Sequence, residues 1–354
     1  MYKLENTISD IGGQIDFIDN NLICVGFSKK SIKCINLNTF QIEWQAEYEG
    51  GLCLKHKNDI FAPEMTFYDG TGKIIYSNPL NIPLNYLGKN NEISVWVKMI
   101  PWKEVSKGIA PEYYIFDTDN KKILKQYTNN KSGAIVYIEG NLFVTRAEGG
   151  KVIIFDYNQE QVIWERDFSE ECAYEDPISL NKKWRKAEIG NLYQYGSDKL
   201  IVKAGNGNSF CLDLKTGKQY WHKKYPGFYI IQGDTAFVYT NGGSIAKVDL
   251  KTGDILSNEG TFYRFPDLPP VQHKRLGEIH ISPHGTEMVF HEDSLWFVVH
   301  SNGYSFVVKI NPNTFEYEWI HQVDTPEEVR SIQFYKNKMY LHDLSHQLHV
   351  YVRK

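Results

Sequence analysis

The pentapeptide Asp-Leu-Lys-Thr-Gly occurs twice, at 213–217 and 249–253, 36 residues apart. A phrase repeated over that distance marks a repeat architecture, which constrains a fold more tightly than any composition does. Aligned on the first residue of the phrase, the same slot recurs at Asn36, Asp69, Asp117, Asp156 and Asn311, with Val352 as a degenerate eighth. The residue before the slot is apolar every time: Ile35, Tyr68, Phe116, Phe155, Leu212, Val248, Ile310 and Tyr351. Eight residues after it stands a tryptophan at Trp44, Trp164, Trp221 and Trp319. A second near-copy, Asn36–Trp44 (NLNTFQIEW) against Asn311–Trp319 (NPNTFEYEW), obeys the same phase.

The phrase has the chemistry of a hairpin turn. An Asp or Asn side chain bonds the backbone two residues on, and a glycine at the end of the turn takes positive φ without strain. Where Phe40 and Phe315 replace the glycine, Asn38 and Asn313 are expected to share the turning. About fifteen residues upstream of each slot, a polar turn (Asn21, Asn141, Asp198, Asp234, Asn337) precedes an apolar run. Each unit therefore reads as strand A, turn, strand B, loop, strand C, Asp turn, strand D. The period of about 45 residues is that of four-stranded propeller blades.

The slots predict eight blades, or seven if the unit around Asp69 is not a full blade. The last unit supplies strands A, B and C only. The N-terminal segment YKLEN is expected to add its strand D and close the ring, leaving no open sheet edge. The expected fold is thus all-β: one domain over 1–354, a closed propeller of four-stranded antiparallel blades.

The complete phrase Asp213-Leu-Lys-Thr-Gly-Lys-Gln-Tyr-Trp221 resembles the PQQ-like repeat of quinoprotein-type β-propellers. Asp249–Ser257 keeps the turn without the Trp, and Asp156–Trp164 keeps the Trp without Thr-Gly. The resemblance implies that Trp44, Trp164, Trp221 and Trp319 pack between blades. Quinoprotein dehydrogenases of the family use an adjacent-cysteine disulfide near the cofactor. No Cys-Cys pair occurs here, so no cofactor is expected, and the resemblance points to members that act as protein-binding platforms.

Charge and cysteine usage narrow the partners. The net charge of −4 lacks the basic excess that would hold nucleic acid or an anionic membrane. No apolar run reaches the roughly 18 residues of a membrane span. Five scattered cysteines and an N-terminus without signal-peptide character lead us to expect a cytoplasmic protein, monomeric apart from its partner.

Extra residues concentrate at 77–89, 99–112, 169–188 and 258–286, all in D–A or B–C connections and hence expected on one face. Long loops inside a compact domain are commonly functional. They carry Trp102, Lys103, Tyr174, Glu175, Trp184, Arg185, Phe262, Tyr263, Arg264, Phe265, His273 and Arg275, types that dominate interface energetics. These residues are the expected protein-binding surface.

Other candidates weigh less. His280, His284 and His291, or His342, Asp343, His346 and His349, resemble metal clusters in composition, but a strand-and-turn phase does not gather them, so no metal site is expected. No G-x-S-x-G context supports a nucleophile. The function expected is therefore non-catalytic protein binding, with a bacterial immunity protein neutralising a toxin as one concrete form. Alternatives are an enzyme or small-ligand binder at the mouth of a central channel, near His56 and Tyr195, and an assembly scaffold.

Overall fold

A computed structural model describes residues 2–12, 15–26, 31–47, 54–62, 65–80, 82, 84–90, 92–98, 112–128, 134–147, 150–175, 183–240, 242–273, 277–283, 285–325 and 327–353. The chain divides into two compact units, Gln14–Lys224 and Met1–Gly13 with Tyr225–Lys354.

The first unit holds five four-stranded antiparallel sheets. Blade 1 is Ile15–Ile18, Asn21–Gly26, Ser31–Asn36 and Ile42–Glu47; blade 2 is Leu54–His56, Asp59–Ala62, Thr66–Tyr68 and Ile74–Tyr76. Blade 3 is Leu84–Asn90, Ile93–Lys98, Glu112–Asp117 and Lys122–Thr128; blade 4 is Ala134–Glu139, Leu142–Ala147, Lys151–Asp156 and Gln161–Asp167. Blade 5 is Ile189–Tyr195, Lys199–Ala204, Asn208–Asp213 and Gln219–Lys224. The unit around Asp69 is a full blade, which settles the count at eight.

The second unit holds the other three. Blade 6 is Phe228–Gln232, Thr235–Thr240, Ser244–Asp249 and Tyr263–Arg264; blade 7 is Gly285–His291, Ser294–Ser301, Tyr304–Ile310 and Tyr317–Val323. Blade 8 is Val329–Tyr335, Lys338–Asp343, Gln347–Arg353 and the N-terminal Tyr2–Ser9. That last strand runs antiparallel to strand C, from Tyr2 opposite Arg353 to Ser9 opposite Gln347. The fold is an eight-bladed β-propeller.

All seven Asx slots turn as their chemistry requires. The Oδ1 atoms of Asn36, Asp69, Asp117, Asp156, Asp213, Asp249 and Asn311 each accept a backbone N–H two or three residues on, at 2.7–2.9 Å for the shorter bond. A register shift sits beside the slot in most blades, as between Cys34 and Ile35 or Ile154 and Phe155, which gives strand D its twist. One turn expectation needs correction. Phe40 and Phe315 themselves take positive φ, 58° and 61°, while Asn38 and Asn313 do not. Phe315 is compensated by burial against Tyr263 and Phe237.

Strands B and C are the buried ones because both their faces meet other sheets, whereas strand D alternates half-buried and exposed. Adjacent blades within a unit share cores, for example Leu142, Val152 and Ile154 with Val202, Phe210 and Leu212 between blades 4 and 5.

Two loop expectations change. Leu84–Asn90 is strand A of blade 3, so the second half of 77–89 belongs to a sheet. In blade 6, strand D does not follow the Asp249 turn directly: Ile255 makes only an isolated bridge to Val248. A 3-10 turn at Asn258–Gly260 intervenes, and Tyr263 and Arg264 then pair with Ile245 and Ser244. Tyr263 and Arg264 are therefore sheet residues.

Candidate interaction surface

The connection from blade 4 to blade 5 is built on a locked base. Phe168, Cys172 and Ala187 are buried in the core shared by those blades. Two glycines make room for it: a Cβ on Gly150 would lie 2.2 Å from the Ala187 carbonyl oxygen, and one on Gly205 would lie 2.9 Å from the Ala187 Cβ. Arg166 clamps the entry, ion-paired to Glu171 at 2.8 Å and lying over Phe168 and Phe210. Glu170 pairs with Lys186 at 2.7 Å across the base.

Above that base stands a short antiparallel hairpin, Tyr174 opposite Arg185 and Glu175 opposite Trp184. Tyr174 is half-buried against Gly205 and serves as an anchor. Trp184 is the reverse, 73% exposed, the most exposed of the large apolar side chains among the described residues. Lys183 and Arg185 flank it, both exposed. The acidic and basic halves of the loop are thus partly spent on each other at the base, while the indole is left in solvent.

The blade 6 to blade 7 connection uses its aromatics differently. Phe265 is 5% exposed and stacks on Phe297 at 5.5 Å and Tyr317 at 6.0 Å, so it is a core residue rather than a contact for a partner. Tyr263 packs on Phe315 and Phe265, and Phe262 on Tyr225. A hairpin, Leu268–His273 with Gly277–Ile281, follows and is pinned by buried Leu268 and Ile281. Arg264 is exposed. Trp102, Lys103 and Arg275 lie outside the described residues, as does the side chain of His273.

The polar clusters serve the blades. Asp343, fully buried, accepts from Thr325 and the Gln347 N–H and bonds His349 Nε2 at 2.8 Å, while His349 Nδ1 faces Thr7 Oγ1 at 3.3 Å. His342 Nε2 bonds the Ile11 carbonyl at 2.9 Å. His56 is buried on Asp119 at 2.6 Å, and the bonds from Lys57 and His56 hold the Asp119 carboxyl down at about 2. Tyr195 is buried beneath the Lys199 ammonium. Among the described residues no group of three or more His, Cys, Asp or Glu is placed to hold a metal; His284 lies outside them.

Two of the four phased tryptophans, Trp44 and Trp164, are seated as the repeat implies. Trp44 Nε1 donates to the Gly70 carbonyl and Trp164 Nε1 to the Leu214 carbonyl, each at 2.9 Å, the residue after the Asp slot of the next blade. A family model described as outer membrane protein assembly factor BamB matches residues 148–349, more than half of the chain. The chain belongs to this PQQ-like propeller family.

Within the family, outer membrane protein assembly factor BamB of Shewanella oneidensis is 28% identical over 151 residues, 42% of this chain and only 36% of that protein. BamB of Moraxella catarrhalis is similar in structure over both full lengths, with a TM-score of 0.61 at 13% identity. The computationally designed Ika8 protein gives 0.63 at 14% identity, covering 98% of this chain and 96% of the design. At such identities the structures speak for the fold alone.

One feature escaped the sequence reading. A cavity of about 230 Å³ lies between blades 7 and 8, lined by Tyr2, Glu292, Trp296, Lys309, Glu318, Trp319 and Arg353. Its signal was present in two separate places, the closing strand at Tyr2 and the phased Trp319.

Proposed function

We propose that this protein is a non-catalytic, protein-binding propeller that acts as an assembly scaffold and engages its partner through the Trp184 hairpin. The observation that carries the reading is an indole left almost wholly in water on a short hairpin whose base is locked into two blades. Burying a tryptophan is worth about 2 kcal/mol or more at the centre of an interface, which is why such side chains dominate binding energy. Two-stranded hairpins are marginal alone, so the packed base is what keeps the indole presented and lowers the ordering cost on binding. Family membership supports the scaffold form, because the matching family is described as an assembly factor. Toxin neutralisation draws no such support. Cytoplasmic placement belongs to the proposal and rests on the buried thiols of Cys34, Cys172 and Cys211; cell fractionation tests it.

Photo-crosslinking decides the surface. Benzoylphenylalanine in place of Trp184 is expected to trap one dominant partner in cells, and the same residue at Ile163, exposed on the outer strand of blade 4, to trap none. Identical products from both positions would remove the hairpin from the account.

A further inference from the structure

The surroundings of Trp319 differ from the seats of Trp44 and Trp164. In the seat of Trp44, the Asp69 turn of blade 2 supplies the Gly70 carbonyl to the indole N–H, and Gly72 lies so close that a Cβ there would sit 2.6 Å from the ring. In the seat of Trp164, the Asp213 turn of blade 5 supplies the Leu214 carbonyl, and a Cβ on Gly217 would sit 2.9 Å from the ring. Each seat is the same device: a carbonyl one residue past the Asp slot, and a glycine flat on the indole.

Trp319 stands in the same register on blade 7. Strand D of blade 8 is Tyr2–Ser9, so among the described residues no Asp–Gly turn leads into it from strand C. The 230 Å³ cavity lies against this tryptophan, and among the described residues its indole N–H has no acceptor. The volume exceeds the roughly 150 Å³ of an engineered cavity that takes up benzene. Tyr2 and Trp296 form the aromatic walls, 6.2 and 5.8 Å from Trp319 between ring centroids. The charges at the rim are already matched, Lys309 with Glu318 at 2.7 Å and Arg353 with Glu292. A rim so balanced favours a neutral, dipolar occupant over a charged side chain.

We infer that this cavity receives a glycine-bearing β-turn of a partner polypeptide, its backbone carbonyl accepting from Trp319 Nε1 and its glycine lying on the indole, as the Asp69 and Asp213 turns do within the chain. The site reads backbone and a missing side chain, so it selects turn shape rather than charge.

The probe is a disulfide-cyclised peptide carrying Asp-Leu-Lys-Thr-Gly-Lys, titrated into the 15N-labelled protein while the indole N–H signals are followed. Trp319→Phe assigns the Trp319 signal and removes the donor while keeping a ring. Expected are a saturable shift of the Trp319 signal with the Trp44 and Trp164 signals unmoved, and binding weakened roughly tenfold by Trp319→Phe. A peptide with Gly→Val is expected to lose binding by a similar factor. Tyr2→Trp narrows the cavity while keeping the Trp319 donor and is expected to abolish the peptide-induced shift, which keeps the test valid should Trp319→Phe fold poorly. Trp184→Ala is expected to leave peptide binding unchanged, so failure of the hairpin reading and failure of this one are separable. The inference is overturned by an unmoved Trp319 signal at millimolar peptide, by equal binding of the Gly→Val peptide, or by a shift that grows with protein concentration alone, which would assign the seat to a second copy of the chain.

Discussion

The loop after blade 4 and the loop after blade 6 occupy the same topological position and read alike in sequence, rich in aromatic and charged residues. They do opposite things with them. The first fills its base with Phe168, Cys172 and Ala187 and leaves Trp184 in water; the second spends Phe265 on the core and keeps Tyr263 in the sheet. Aromatic content therefore does not distinguish an interface from an anchor. What distinguishes them is whether other residues of the loop have already filled the base.

The largest expected effect separates the loops by stability. Phe265→Ala should cost about 3–5 kcal/mol, through lost burial and a cavity beside Phe297 and Tyr317. Urea unfolding followed by near-UV circular dichroism measures it, and a cost below about 1 kcal/mol would return Phe265 to the list of exposed contacts. Next is the seat of the first loop. Gly150 has φ +81° and faces the Ala187 carbonyl, so Gly150→Ala adds both strain and a backbone clash. It should destabilise by about 1–3 kcal/mol and speed amide exchange in 168–188 more than in blade 1.

A smaller effect is read by pH. Lys203, in the strand of blade 5 that leads into Gly205, is buried, and burial pushes its ammonium down to about 8. Below pH 8 both folded and unfolded states hold the proton. Between pH 8 and about 10.4 the unfolded state binds more protons, so stability rises with pH there. Lys203→Met should flatten that rise, measured as the urea midpoint at pH 7 and pH 9.5; an unchanged slope would place the ammonium in water. The smallest stability effect belongs to Trp184→Ala, expected within about 0.5 kcal/mol of the parent.

The repeat was legible because its signals are local. An Asp or Asn at the slot bonds N–H groups within three residues, so Asp213 and Asn311 announce their turns without any tertiary information. Even the closing strand at Tyr2 follows from counting strands in the last unit. The displaced strand D of blade 6 was not legible, because the turn at Asn258–Gly260 postpones pairing to Tyr263 and nothing local says where pairing resumes. Phe40 and Phe315 misled for a related reason: burial of Phe315 offsets the cost of its left-handed backbone, and burial is a tertiary fact. In the candidate surface, exposed Trp184 and buried Phe265 were not separable in sequence, because burial is a tertiary fact. The seam cavity needed two distant signals, Tyr2 and Trp319, to be read together.

The most direct test of the account is the affinity of the crosslinked partner for the parent and for Trp184→Ala, measured with both proteins shown to be equally folded. The account predicts at least about thirtyfold weaker binding by the variant, the loss expected of a central tryptophan. Equal affinity would contradict it and leave the hairpin as an ornament of blade 4.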